Sequence, residues 1–137
     1  MSTPEIVENK ISSIREHIAI LRKYAPHSLE EIKNDVTLRG AVERYLYLAA
    51  QSAIDLAEAM IVFKHYRKPT TMGESFDILC DESIISRETA DQMIKLAGFR
   101  NIIAHEYTKI NYDIVYDILQ NRLSDIEQFV SEIQEKI

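Results

Sequence analysis

An arginine, an asparagine and a histidine fall close together in the stretch Arg100-Asn101-Ile102-Ile103-Ala104-His105-Glu106-Tyr107. These types are the minimum set for metal-free phosphodiester cleavage when the substrate brings its own nucleophile, as RNA does in its 2′-hydroxyl. A histidine with an ordinary pKa near about 6.5 moves a proton at neutral pH, and an arginine meets the charge that develops on the phosphorane with paired N–H donors. In that chemistry His105 is base or acid, Arg100 stabilises charge, and Asn101 orients His105 or a phosphate oxygen. The products are a 2′,3′-cyclic phosphate and a 5′-hydroxyl. No metal or cofactor is called for. His17, His27, His65 and His105 have no ligand spacing among them, Cys80 is single, and there is no Gly-rich phosphate loop.

A helix has to carry these groups. Ser86 as N-cap with Glu88 in the first turn opens it. At about 100° per residue, Met93, Leu96, Ala97, Ile103 and Ala104 share one apolar face with Arg100 in its middle. Asn101 and His105, four apart, lie on the adjacent sector. Burying such groups unpaired costs roughly 2–7 kcal/mol for a neutral one and more for a charge, so the pattern places them at a cleft or seam. The alternative is that Arg100 and His105 merely bond backbone carbonyls and a neighbouring carboxylate. Spacing alone decides little, because Arg22 and His27 repeat it across Pro26, where no regular helix can hold both. On an ideal helix Arg100 and His105 point about 140° apart. Two motif helices meeting at a two-fold axis would relieve that mismatch.

The string Arg100-Asn101-x3-His105-x-Tyr107 resembles the Arg-x4-His-x-Tyr signature of the HepT-like proteins of the HEPN superfamily, small helical toxins encoded beside a minimal nucleotidyltransferase antitoxin. The upstream segment Leu38-Arg39-Gly40-Ala41-Val42-Glu43-Arg44-Tyr45-Leu46, leading into Ala53-Ile54-Asp55-Leu56-Ala57, is similar to that family's second block. The resemblance implies a HEPN-like bundle and a metal-independent endoribonuclease in a type VII-like toxin–antitoxin pair. It also implies a homodimer with a shared cleft, and a nucleotidyltransferase (MNT) partner that attaches AMP to Tyr107. The alternative is a non-catalytic helical subunit that binds a nucleotide or a nucleotidyltransferase; growth arrest on expressing this chain alone would separate the two.

At 137 residues the sequence is read as one domain over 1–137, large enough to bury a core without staples. With 3 Gly, 3 Pro and no Trp there is little turn punctuation, which favours a few long helices. A net charge of −6 excludes a protein that coats nucleic acid by charge alone, so any RNA contact is local. The dense basic cluster Lys64, His65, Arg67 and Lys68 sits where cations also complement a helix end. The lone Cys80 and the absence of a signal-peptide pattern or an uncharged stretch long enough for a membrane span predict a cytoplasmic protein with no membrane partner.

The seams define the rest. Val7, Ile11, Ile14, Ile18 and Leu21 mark a first helix, capped at Thr3 with Pro4 following and ended by Pro26. Ser28 with Glu31 forms a capping box for a short helix. A long helix from Val36 to Tyr66 carries two apolar stripes. One is Val42, Leu46, Ala49, Ala53, Leu56, Met60 and Phe63; the other is Tyr47, Ala50, Ile54, Ala57 and Ile61, so one stripe is expected to face a second subunit. After the loop at Lys68–Gly73 a short segment caps one end of the bundle. Asn111 then caps a final helix with the seam Leu119, Leu123, Ile126, Val130, Ile133 and Ile137. The expected fold is an all-α antiparallel four-helix bundle with one or two short extra helices. In it, Arg44, Gln51, Asp55 and Glu58 are candidate neighbours of the polar trio.

Overall fold

The computed structural model describes residues 3–137, and side chains from Pro4 onward. Helix α1 (Thr3–Tyr24) buries its predicted stripe, with Val7, Ile14 and Leu21 fully inaccessible. The cap expected at Thr3 lies outside the described side chains. Ser28 and Glu31 form the reciprocal capping box of α2 (Leu29–Asn34): each side chain accepts the other's backbone N–H at 3.1 Å. Asp35 then accepts from the N–H groups of Thr37 and Leu38 at 3.0 and 3.1 Å, which starts α3 (Val36–Lys64) with only one residue between the two helices.

Helix α3 stops two residues earlier than the sequence predicts. His65 enters the left-handed region at φ 59°, and its N–H closes onto the carbonyls of Ile61 and Val62. Thr71 caps α4 (Met72–Asp81), and Ser86 caps α5 (Arg87–His105) by accepting from the Thr89 N–H. A single 3-10 turn, Tyr107–Lys109, leads to Asn111, the N-cap of α6 (Tyr112–Asp117). The final run is not a regular helix. A π-helical segment, Ile118–Arg122, separates α6 from α7 (Leu123–Gln134).

The four long runs close a ring, α1 on α3, α3 on α5, α5 on α7 and α7 back on α1, while α2 and α4 cover α3 and α5 from the sides. Their buried apolar side chains form one contiguous cluster, in which Phe76 of α4 meets Phe129 of α7 edge to face at 5.4 Å. This arrangement corrects one expectation. Ala50, Ile54, Ala57 and Ile61 are buried within the chain itself, like Val42, Leu46 and Met60, so the second stripe of α3 does not mark a subunit face. Its partners are α1, α4 and α5 of the same chain. The same central position explains why α3 is long and apolar enough to cross a membrane by composition, yet half of its most apolar window is buried in the bundle.

Candidate active site

Arg100 sits on the face of α5 that meets α3, and three side chains hold its guanidinium. Its Nε donates to Gln51 Oε1 at 2.7 Å, one terminal nitrogen donates to Asn101 Oδ1 at 3.0 Å, and the other donates to the Tyr47 hydroxyl at 3.2 Å. The cation also lies over the Tyr47 ring, 5.1 Å from its centroid. Behind this clamp, Asp55 accepts from Gln51 Nε2 at 2.9 Å, so the amide must present its oxygen to Arg100. A guanidinium has five N–H donors; three are engaged, which leaves two for an incoming anion.

Arg100 lines a shallow groove of roughly 500 Å³ together with Arg44, Tyr47, Ile103, His105 and Tyr107, with Gly40, Glu43 and Ala104 completing it. His105, the last residue of α5, is exposed, and its imidazole forms no hydrogen bond with the described residues. It borders the same groove as Arg100 although the helix stays regular to its end. The 140° divergence is absorbed because Arg100 turns toward α3 and the groove runs over the end of α5. Asn101 is exposed and its Oδ1 accepts from Arg100, with no hydrogen bond to His105.

The second Arg-x4-His pair behaves differently. Arg22 pairs with Glu127 and His27 bonds Glu31 at 3.0 Å, each an ordinary surface contact. Of the other candidates on α3, Gln51 touches Arg100 directly, Asp55 acts through Gln51, and Arg44 lines the groove with its cation over the Tyr47 ring at 5.7 Å. Glu58 is not brought to the trio; it borders a separate hollow beside the loop after α3. Three of the four basic residues at that loop have a cap, an ion pair or a ring contact. His65 ends the helix, Arg67 pairs with Glu74, and Lys64 lies over Phe63. Among the described residues no three His, Cys, Asp or Glu side chains gather to hold a metal ion.

Tyr107 stands at the rim of the groove with 57% of its surface exposed. Beneath it Glu43, only 5% exposed, accepts from the Tyr112 hydroxyl at 2.7 Å and faces Arg39 Nε at 4.0 Å. The Glu43 carboxylate, through hydrogen bonding first and charge second, holds the Tyr107 phenol above the usual tyrosine range. Burial, together with the same carboxylate, pushes Tyr112 up to about 12. Glu43, Tyr47 and Tyr112 are the parts of the site that sequence reasoning did not single out. Glu43 carried one available signal, an i,i+4 spacing from Arg39 between the core positions Val42 and Leu46.

With this geometry in place the relatives become informative. The family described as Ribonuclease HepT-like matches residues 14–133. The chain belongs to the HepT-like family. The mRNA nuclease HepT of Shewanella oneidensis is 31% identical over 131 residues, covering 95% of this chain and 97% of its own length. The tRNA nuclease HepT of Aphanizomenon flos-aquae is 28% identical over 130 residues, covering 95% and 88%. Among solved structures, a tri-AMPylated HEPN toxin of Shewanella oneidensis in complex with its MNT antitoxin aligns with a TM-score of 0.89 at 30% identity, covering 98% of this chain and 99% of the toxin. The cytosolic YutE of Bacillus subtilis aligns at 0.82 with 18% identity over 95% of this chain and 87% of its own, which shows the shared fold alone. The all-α HEPN-like bundle expected from the sequence is the fold of HepT-like toxins.

Proposed function

We propose that this chain is a metal-independent endoribonuclease toxin of the cytoplasm, cutting RNA at the Arg100–His105 groove and held in check by a minimal nucleotidyltransferase antitoxin that adenylylates Tyr107. One observation carries the reading. Arg100 is fixed by three partners yet keeps two donors free, beside a histidine with no structural occupation. A clamped cation stabilises developing charge without reorganising at the moment of reaction, which is where electrostatic catalysis gains most. His105 takes the 2′-hydroxyl proton or gives one to the departing 5′-oxygen. Cleavage needs both transfers, and a homodimer that brings two grooves together at a two-fold axis supplies a second histidine. The names of the relatives, mRNA nuclease and tRNA nuclease, support RNA as substrate.

An adenylate on Tyr107 would place a phosphodiester anion at the rim of the groove that Arg100 lines, competing with RNA by charge and by bulk. The AMPylated toxin bound to its antitoxin supports this silencing. A second reading, a non-catalytic nucleotidyltransferase-binding subunit, draws on the net charge of −6. One experiment decides between them: RNA incubated with the purified chain and with His105→Ala and Arg100→Ala variants, in EDTA, followed by end mapping. The expected result is 2′,3′-cyclic phosphate and 5′-hydroxyl ends from the parent and none from folded variants. Equal cleavage by a folded double variant would remove both residues from the chemistry. In the same assay Tyr107→Phe is expected to cut RNA while escaping silencing by the antitoxin.

A further inference from the structure

Glu43 is the feature that the nuclease reading leaves unused. It occupies the buried side of α3 between Val42 and Leu46, both fully inaccessible, where the sequence pattern calls for a hydrophobe. A buried carboxylate is expensive unless well paired, and the one cation paired with it among the described residues, Arg39, stands at 4.0 Å and spends another donor on the Lys33 carbonyl at 3.0 Å. If Glu43 served only to receive the Tyr112 hydroxyl, an uncharged amide would do so with less desolvation. One phenol, Tyr112, donates to this carboxylate, and a second, Tyr107, lines the same groove as Glu43. Tyr112 is tucked against the bundle, and Tyr107 stands at the groove, 57% exposed, where a nucleotide can reach its oxygen.

We propose that Glu43 is the base that receives the Tyr107 phenol proton when that oxygen is adenylylated, with Tyr112 and Arg39 fixing the carboxylate beneath it. The proposal rests on the reading that Tyr107 is the modified residue. The Tyr107 oxygen attacks the α-phosphorus of magnesium ATP supplied by the nucleotidyltransferase. The bond between the α-phosphorus and the bridging oxygen breaks, pyrophosphate leaves, and the phenol proton passes to a Glu43 oxygen. A phenol held above its usual pKa gives little phenolate at neutral pH, so an adjacent acceptor is what makes it a competent nucleophile. In this arrangement the toxin supplies part of the machinery of its own silencing.

The test uses the full chain, its nucleotidyltransferase and magnesium ATP, with initial rates of AMP addition followed by intact mass and mapped to Tyr107. Glu43→Gln keeps length and an acceptor but loses basicity; Glu43→Asp keeps basicity but shortens the reach. A proton-accepting role predicts that Gln slows transfer roughly a hundredfold or more near pH 7, that Asp is faster than Gln, and that the Gln deficit closes as rising pH ionises the phenol directly. A merely structural role predicts the reverse order, Gln at least as fast as Asp with a deficit independent of pH, and would overturn the proposal. So would transfer at the parent rate in Glu43→Gln. If the parent chain itself never gains adenylate at Tyr107, the underlying reading of that residue falls, an outcome distinct from a parent that is modified and a Gln variant that is unaffected.

Discussion

Replacing Gln51 with Met isolates one strand of the clamp on Arg100. Methionine keeps the stem length and packing but removes the acceptor that sits 2.7 Å from Arg100 Nε. Hydrogen bonds to charged groups contribute about 1.5–3 kcal/mol, and because both residues are only partly buried the lower end applies. About 1.5 kcal/mol of lost positioning corresponds to roughly a tenfold fall in kcat/KM for RNA cleavage. The fall stays partial because Asn101 and Tyr47 still hold the two terminal nitrogens. The assay is single-turnover cleavage of a short RNA by the parent, Gln51→Met, Arg100→Lys and the double variant, with thermal melts run alongside. Lysine has no Nε–H at that place, so in the Arg100→Lys background the Gln51 change should have little further effect. A full tenfold loss in that background would refute the clamp. So would a fall in activity that tracks a fall in melting temperature.

Three further outcomes test the framework that presents the site. His65→Gly should stabilise the chain by about 0.5–1 kcal/mol in urea melts, because His65 holds a left-handed φ of 59° that glycine adopts freely; a loss of stability would refute the assignment of that cap. Ser75→Ala should stabilise by about 1 kcal/mol in the same melts, since the Ser75 hydroxyl is the one fully buried side-chain polar atom among the described residues that finds no partner. Tyr112, raised in the folded state to about 12 from an ordinary 10.0, binds its proton more tightly folded than unfolded. Its contribution is therefore complete below pH 10 and is lost as pH rises from about 10 through about 12. Parent and Tyr112→Phe stability curves should converge across that window, and parallel curves would count against the Glu43 contact.

Local rules carried the helices because each boundary has a local cause. Ser28 with Glu31, Ser86 and Asn111 cap helices where their hydroxyls or amide predict, and Pro26 closes α1 after Tyr24. Arg100 was legible as a charge on an apolar face, a conflict that only a tertiary partner resolves. That partner was less legible. Gln51 was one of four candidate neighbours on α3 with nothing to single it out, and Tyr47 looked like part of a core stripe, because periodicity reports a face and not what the face will meet. The two stripes of α3 misled for the same reason, since a helix in the middle of a bundle is apolar on several sides without any second subunit. Glu43 was hidden because its hydrogen-bond partner, the Tyr112 hydroxyl, lies 69 positions away in sequence.

The π-helical segment Ile118–Arg122 carries a consequence for how the chain can change in length. A π turn is an α-helix holding one surplus residue, bulged outward so that the flanks keep their places. Elsewhere in these helices, removing one residue swings everything beyond it by about 100° and takes the buried face off its neighbour. Here the exposed Gln120 or Asn121 can be lost and the segment relaxes to ordinary α geometry, with Val115 and Leu119 on one side and Ile126, Phe129 and Val130 on the other left against the same neighbours. Single-residue deletions in this protein should be tolerated at that point and punished in the helices around it.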